Sequence, residues 1–253
     1  MRFTNAALIA AISSIAVSEN ASTIPGYDAA PHYVASTIPA SNNTFDFGHK
    51  YAVLNLDLIN GLVSGVSSSP AGQTFIKNTA SWIDFVNTQD PKPLTIFTRI
   101  YYSTYRKPEL GPQCARVPFA AGGGTLGTSS DPNTQIYPAF KVNDAAGDIV
   151  LQKTRYYAGF GNELEEILSS NKIDTVILSG IRTSGVVLNT AYQLFNLNYN
   201  VYVIANNTIE SPPDANSAIN TAILEGIIPK LPASVITIEQ AVAALKRCAP
   251  AVC

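Results

Sequence analysis

Short, unbroken apolar runs alternate along this chain with stretches in which hydrophobic residues recur every three or four positions. The runs are YAVLNLDLI at Tyr51–Ile59, PLTIFTRI at Pro93–Ile100, DIVLQK at Asp148–Lys153, DTVILSGI at Asp174–Ile181, NVYVIA at Asn200–Ala205 and ASVITI at Ala233–Ile238. They are rich in β-branched residues and lack strict polar alternation, which predicts strands covered on both faces. The helix-like stretches span Ala71–Val86, Asn162–Ser170, Ser184–Phe195, Pro213–Glu225 and Glu239–Lys246. Strand alternating with helix predicts βαβ units, and hence an α/β fold with a parallel sheet and helices on both faces.

Two regions break the rhythm. Residues 21–50 are rich in Ser, Thr, Asn, Pro and Ala without apolar periodicity, and predict an extended N-terminal arm on the surface. Tyr101–Gly147 is a long irregular region containing AAGGGTLGTSS at Ala120–Ser130; loops of this length in compact domains are functional or disordered. The chain starts with Arg2, an apolar stretch from Ala6 to Val17 and then small residues, the pattern of a secretory signal too short to span a bilayer. The expected organisation is a signal at 1–18, an arm at 19–50, one domain at 51–247 and a tail at 248–253.

Composition narrows the function. The chain has 253 residues, 46% hydrophobic and 13% charged, which suits a single domain with a substantial core. A net charge of −2 and the lack of basic runs argue against nucleic-acid and membrane-surface partners. In a secreted chain Asn20, Asn42 and Asn206 open glycosylation triplets. Cys114, Cys248 and Cys253 lack metal-ligand spacing; a disulfide could join Cys248 to Cys253 or to Cys114. The only histidines, His32 and His49, precede the first strand, so neither a Ser-His-Asp arrangement nor a His-rich metal site is expected, and His49 reads as structural. No cofactor is expected. Gly122–Gly124 lacks the Lys-Ser/Thr of a phosphate loop.

In an open parallel sheet ligands bind beyond the carboxyl ends of the strands. Those ends supply Asp57, Arg99, Lys153 and the turn Gly180–Gly185, which could meet in one crevice.

This ordered set resembles the isochorismatase-like hydrolase family over Tyr51–Ile238. The resemblance rests on the acid Asp57 in VLNLDLIN, the lysine Lys153 in LQKTRYYAGFGNELEEIL, and the Gly-X-X-Thr turn and Thr-Ala pair in LSGIRTSGVVLNTAYQLF. It implies a three-layer Rossmann-like sheet of about six strands, a hydrolase, a small-molecule substrate and a homo-oligomer. It marks Asp57 and Lys153 as catalytic, and Asn60, Arg99, Phe160, Arg182, Thr183, Gly185 and Val186 as lining the substrate site.

The chain departs from the family where many members carry a nucleophilic cysteine, seven residues into the turn: that position is Val186. Valine has no lone pair to form a thioester, which excludes cysteine-dependent amide hydrolysis at this position. Ser184 is near, but no histidine is placed to activate it. Beside the acid, Ile59 stands where the family often has Gln, while Asn60 is kept. The family also includes isochorismatases, in which the acid itself carries the chemistry by protonating an enolpyruvyl ether. The resemblance therefore implies Asp57 as general acid, Lys153 as the cation that orients it and meets a substrate carboxylate, and a small anionic substrate, with arginines such as Arg182 offering bidentate contacts. Lysine proximity lowers an aspartate pKa and burial raises it, and this balance decides whether Asp57 can hold a proton near neutral pH. The alternative is a silent protein that binds a small acid or a partner on the same fold.

Overall fold

A computed structural model describes residues 44–110, 126–213 and 215–248. The signal and most of the N-terminal arm lie outside the described residues, as do Asn20, His32, Asn42, Cys114, the triple glycine and Cys253.

Six strands form one parallel sheet: β1 (Tyr51–Leu56), β2 (Leu94–Ile100), β3 (Ile149–Lys153), β4 (Thr175–Ile181), β5 (Asn200–Ile209) and β6 (Ala233–Ile236). Their order is β3-β2-β1-β4-β5-β6. The chain winds outward from β1 in one direction and from β4 in the other, so the order reverses between β1 and β4, where such sheets open a crevice. Every residue of β1 and β4 is buried, as expected for central strands with no solvent face. Alternation sends Ala52, Leu54 and Leu56 into one core, with Val176, Leu178 and Val203. Tyr51 and Val53 enter the other, with Ile177 and Ile204.

The helices are α1 (Asn60–Val63), α2 (Pro70–Asn87), α3 (Leu164–Ser170), α4 (Leu188–Asn196), α5 (Ser217–Thr221) and α6 (Ile238–Arg247). Helix α2 starts where Ser69 Oγ accepts from Gly72 N and Pro70 occupies the first turn. Its buried Phe75, Trp82, Ile83 and Val86 form one stripe against the second core. Helix α6 opens with a capping box between Thr237 and Gln240.

Several boundaries differ from the sequence expectation. β1 stops at Leu56 because Asp57 turns the chain with φ 58°. β6 stops at Ile236 because Thr237 caps α6. β5 runs four residues past Ala205, through Asn206, Asn207 and Thr208, whose polarity hides it from a hydrophobic pattern. The helix expected from Pro213 begins at Ser217, and a π-type turn, Ala222–Ile227, follows it. Helix α1 was not expected. Among its described residues the long irregular region carries short 3-10 turns at Pro108–Leu110, Pro132–Thr134 and Asp144–Ala146.

The end of the arm is not a surface segment. Phe47 is 1% exposed. Its ring meets Tyr202 edge-on at 5.1 Å, and Phe45 stacks on the same ring at 5.4 Å. Two aromatics at i and i+2 place both rings against one strand, which a scan for longer apolar runs overlooks. His49 is exposed rather than packed. Cys248 carries a free thiol that accepts from Phe47 N and donates to Ala244 O. Asn206 lies within β5 rather than in a loop, and its carbonyl oxygen accepts from Ile238 N.

Candidate active site

Asp57 sits where the crevice opens. Its left-handed backbone is one that Asp tolerates better than most residues. Thr98 of β2 clasps it from both sides: Asp57 N donates to Thr98 Oγ1 at 2.9 Å, and that hydroxyl donates to Asp57 Oδ1 at 2.7 Å. Lys153, the last residue of β3, reaches past β2 and places Nζ 2.8 Å from Asp57 Oδ2. Nζ also donates to the carbonyls of Arg155 at 2.8 Å and Tyr156 at 3.0 Å. An ammonium has three protons, so these three acceptors occupy them.

Both side chains are sealed, with 1% of the Asp57 side chain and none of the Lys153 side chain exposed. Burial pushes the Asp57 carboxyl above its usual range, outweighing Lys153 and Thr98, which favour the carboxylate. Burial likewise pulls Lys153 below the usual lysine range against the pull of Asp57. Desolvation thus wins the contest that the sequence left open, and it favours a protonated acid.

The third element is the turn after β4. Thr183–Val187 forms a single π-type turn that leads into α4, and Val187 N donates to Arg182 O at 3.3 Å, five residues back. Thr183 Oγ1 donates to Asn220 Oδ1 at 2.5 Å. Ser184 N donates to Glu210 Oε2 at 2.8 Å, while Ser211 N donates to Glu210 Oε1. Gly185 is needed for close approach: a Cβ there would lie 2.9 Å from the Tyr156 ring. Gly180 is more constrained, with φ 156° and Leu56 O 2.4 Å from where a Cβ would stand. Val186, in the nucleophile's place, is 1% exposed and packs in the first core with Ala158 and Leu164. Thr190 of the Thr-Ala pair accepts from Ala158 N at 3.1 Å and so ties α4 to the lysine loop.

The structure brings Asp57 and Lys153 together, and several other expected site residues bond to other parts of the chain. Arg99 Nε donates to Thr134 O, and its Nη2 to Ser129 O and Thr134 Oγ1. It fastens residues 129–134 to β2. Asn60 Nδ2 donates to Pro132 O of the same segment. Arg182 is exposed. Phe160 is 58% exposed and carries the Arg155 guanidinium 5.9 Å above its ring. It lines an open groove of about 620 Å3 with Arg155, Tyr156, Glu165, Asn189 and Gln193, which adjoins the lysine loop on its outer side.

Three positioning residues were not anticipated: Thr98, Tyr156 and Glu210. Thr98 shows in the sequence as a hydroxyl inside an apolar run one residue before Arg99. Glu210 is an acid at the carboxyl end of a strand, as Asp57 is, and would have been noticed had β5 been drawn to its full length.

A buried acid–lysine pair and a glycine-lined turn, gathered at the switch point of a doubly wound parallel sheet, define a hydrolase-type α/β architecture. The isochorismatase domain model matches residues 51–240, and the chain belongs to that family. An isochorismatase family protein from Burkholderia thailandensis is 25% identical, with a TM-score of 0.56, covering 79% of this chain and 98% of that one. The pyrazinamidase/nicotinamidase of Streptococcus mutans is 20% identical at TM-score 0.58, covering 74% and 99%. The N-carbamoylsarcosine amidase of Thermoplasma acidophilum is 19% identical at TM-score 0.55, covering 75% and 97%. The last two share the fold. No curated protein matches the chain.

Proposed function

We propose that this chain is a secreted hydrolase that acts on a small anionic substrate without a thiol, with the enolpyruvyl ether of isochorismate as the first candidate. The observation that carries this reading is the intact, sealed Asp57–Lys153 pair in a chain that has a valine at the nucleophile position. A nucleophilic route has no attacking atom at Val186. Acid chemistry needs only a positioned proton, and burial raises the Asp57 pKa toward the range in which a carboxyl keeps one.

In this scheme the Asp57 carboxyl protonates the methylene carbon of the enol ether, and the carbon bearing the ether oxygen becomes an oxocarbenium ion. Water adds to that carbon and gives up a proton, which restores Asp57. The hemiketal then collapses to pyruvate and the free alcohol. Lys153 fixes the direction of the carboxyl. Its three protons are engaged by Asp57 and two carbonyls, so it meets a substrate carboxylate only by exchanging one of them.

Incubating the purified protein with isochorismate and following pyruvate tests the reading, with Asp57→Asn as control. Pyruvate from the parent alone supports it; pyruvate from both removes Asp57 from the chemistry; none from either rejects this substrate. N-terminal sequencing of protein recovered from the medium tests secretion and cleavage after residue 18. Light scattering tests the homo-oligomer.

The silent binding protein is favoured by one observation, the saturation of Lys153 by the chain's own acceptors. It predicts binding of small acids with no turnover by either protein.

A further inference from the structure

On the face of the sheet that carries the second core lies a group of polar side chains that the candidate site does not use. Asn55 and Ser179 are paired in register across β1 and β4. Opposite Ser179, β5 is irregular. Leu178 pairs with Val203 and Gly180 with Thr208, so Ile204–Asn207 bulge against a single residue. Asn207 lies two residues before Ile209, whose side chain belongs to the second core, as does that of Ile177, two residues before Ser179. Helix α2 packs on β5 and turns Thr79 and Trp82, one helical step apart, toward the same core.

All five residues are fully buried. Both polar atoms of Asn55 and of Asn207, the Ser179 and Thr79 hydroxyls and the Trp82 indole nitrogen have no hydrogen-bond partner among the described residues. One orphan of this kind is unremarkable; seven on the same side of the sheet, under one helix, amount to a large cost if the region is dry. They are amides, hydroxyls and an indole, all neutral, so they suit neither an anion nor a metal cation. Together they offer donors and acceptors in roughly equal number, which is the bonding capacity of water.

We infer that Asn55, Thr79, Trp82, Ser179 and Asn207 enclose a binding site for internal water between α2 and the bulge of β5. A buried water makes about three hydrogen bonds, so seven atoms call for about two or three molecules. The site lies on the sheet face away from the first core, into which Leu56 and Val186 project. It shares no residue with the Asp57–Lys153 pair or with Thr98, Arg155 and Tyr156, which bond to that pair.

A high-resolution crystal structure of the full chain tests this directly. The expected result is two or three ordered waters, each within hydrogen-bond distance of at least two of the seven atoms. Direct pairing of the Asn55 and Asn207 amides with each other and with the hydroxyls, and no water density, would overturn it. Thermal unfolding of Asn207→Leu separates the hydrated chamber from one that is dry and unpaired. In a hydrated chamber the substitution strands waters that the amide held, and Tm falls by about 2–4 °C. In a dry one it removes an unsatisfied amide and Tm rises. An increase in Tm therefore rejects the site even without crystals.

Discussion

Replacing Lys153 with Met isolates what the buried cation does. In the parent, burial raises the Asp57 pKa and lowers that of Lys153. A proton passed from the lysine to the acid stays within the pair, so these opposed shifts leave its proton count at one. The unfolded chain also holds one, on a charged lysine beside an ionised aspartate. Folding then moves no proton at this site, and its contribution to stability is flat with pH. The Met variant leaves Asp57 at 1% exposure with Thr98 as its remaining polar partner and no counter-charge. Its folded pKa rises further above the unfolded value, so the acid takes up a proton on folding. The stability linked to that proton is fully present below about pH 4 and is lost as pH rises toward the folded pKa, by about 1.4 kcal/mol per pH unit. The loss ends at the folded pKa and is bounded by the size expected for breaking a buried pair, about 4 kcal/mol. For a domain of this length that bound is a Tm deficit of about 8–16 °C. Circular-dichroism melts of the parent, Lys153→Met and the Asp57→Asn/Lys153→Met double variant from pH 4 to 8 read it. The double variant should parallel the parent, offset by the lost bonds to the Arg155 and Tyr156 carbonyls. A Lys153→Met curve parallel to the parent's would refute the argument.

Gly180→Ala should cost about 3 kcal/mol, or about 6–12 °C in Tm, because its Cβ meets the Leu56 carbonyl. Gly185→Ala meets only the Tyr156 ring and should cost less; calorimetry that ranks the two the other way contradicts the packing. Val186→Cys is close to isosteric and should keep Tm within about 3 °C. At 1% exposure its thiol should resist iodoacetamide in the native protein, read by peptide mass spectrometry, and rapid labelling would show that the turn opens. Arg99→Ala removes three hydrogen bonds to residues 129–134, so limited proteolysis should cut that segment sooner than in the parent, with the sheet intact.

Short, mostly apolar runs made β1, β2 and β4 legible, because strands covered on both faces are largely apolar. The polar half of β5 was not, since Asn206, Asn207 and Thr208 serve a bulge rather than a core. Asp57 and Lys153 were recognisable separately as strand-end residues, and the resemblance made them a pair. Their mutual distance depends on strand order, which periodicity does not encode. Arg99 illustrates the limit: its charge at a strand end was visible, but the carbonyls that claim it come from a segment with no regular pattern. The competition between burial and the lysine over Asp57 was posed by the sequence and required three-dimensional packing to resolve.

The acid and the lysine come from strands that are not neighbours: β2 lies between them, and β3 is an edge of the sheet. Edge strands ordinarily fray first, since they are held along one side only. Here Lys153 acts as a rivet from the rim to the centre, crossing β2 and anchoring on Asp57, just past the end of β1. Peeling β3 away would leave the buried Asp57 without its lysine, so opening the rim costs more than the ladder bonds of one edge alone. Amide exchange in β3 should therefore be slow for a border strand. It should quicken in Lys153→Met, a loss of cohesion in a region where no catalytic assay would look.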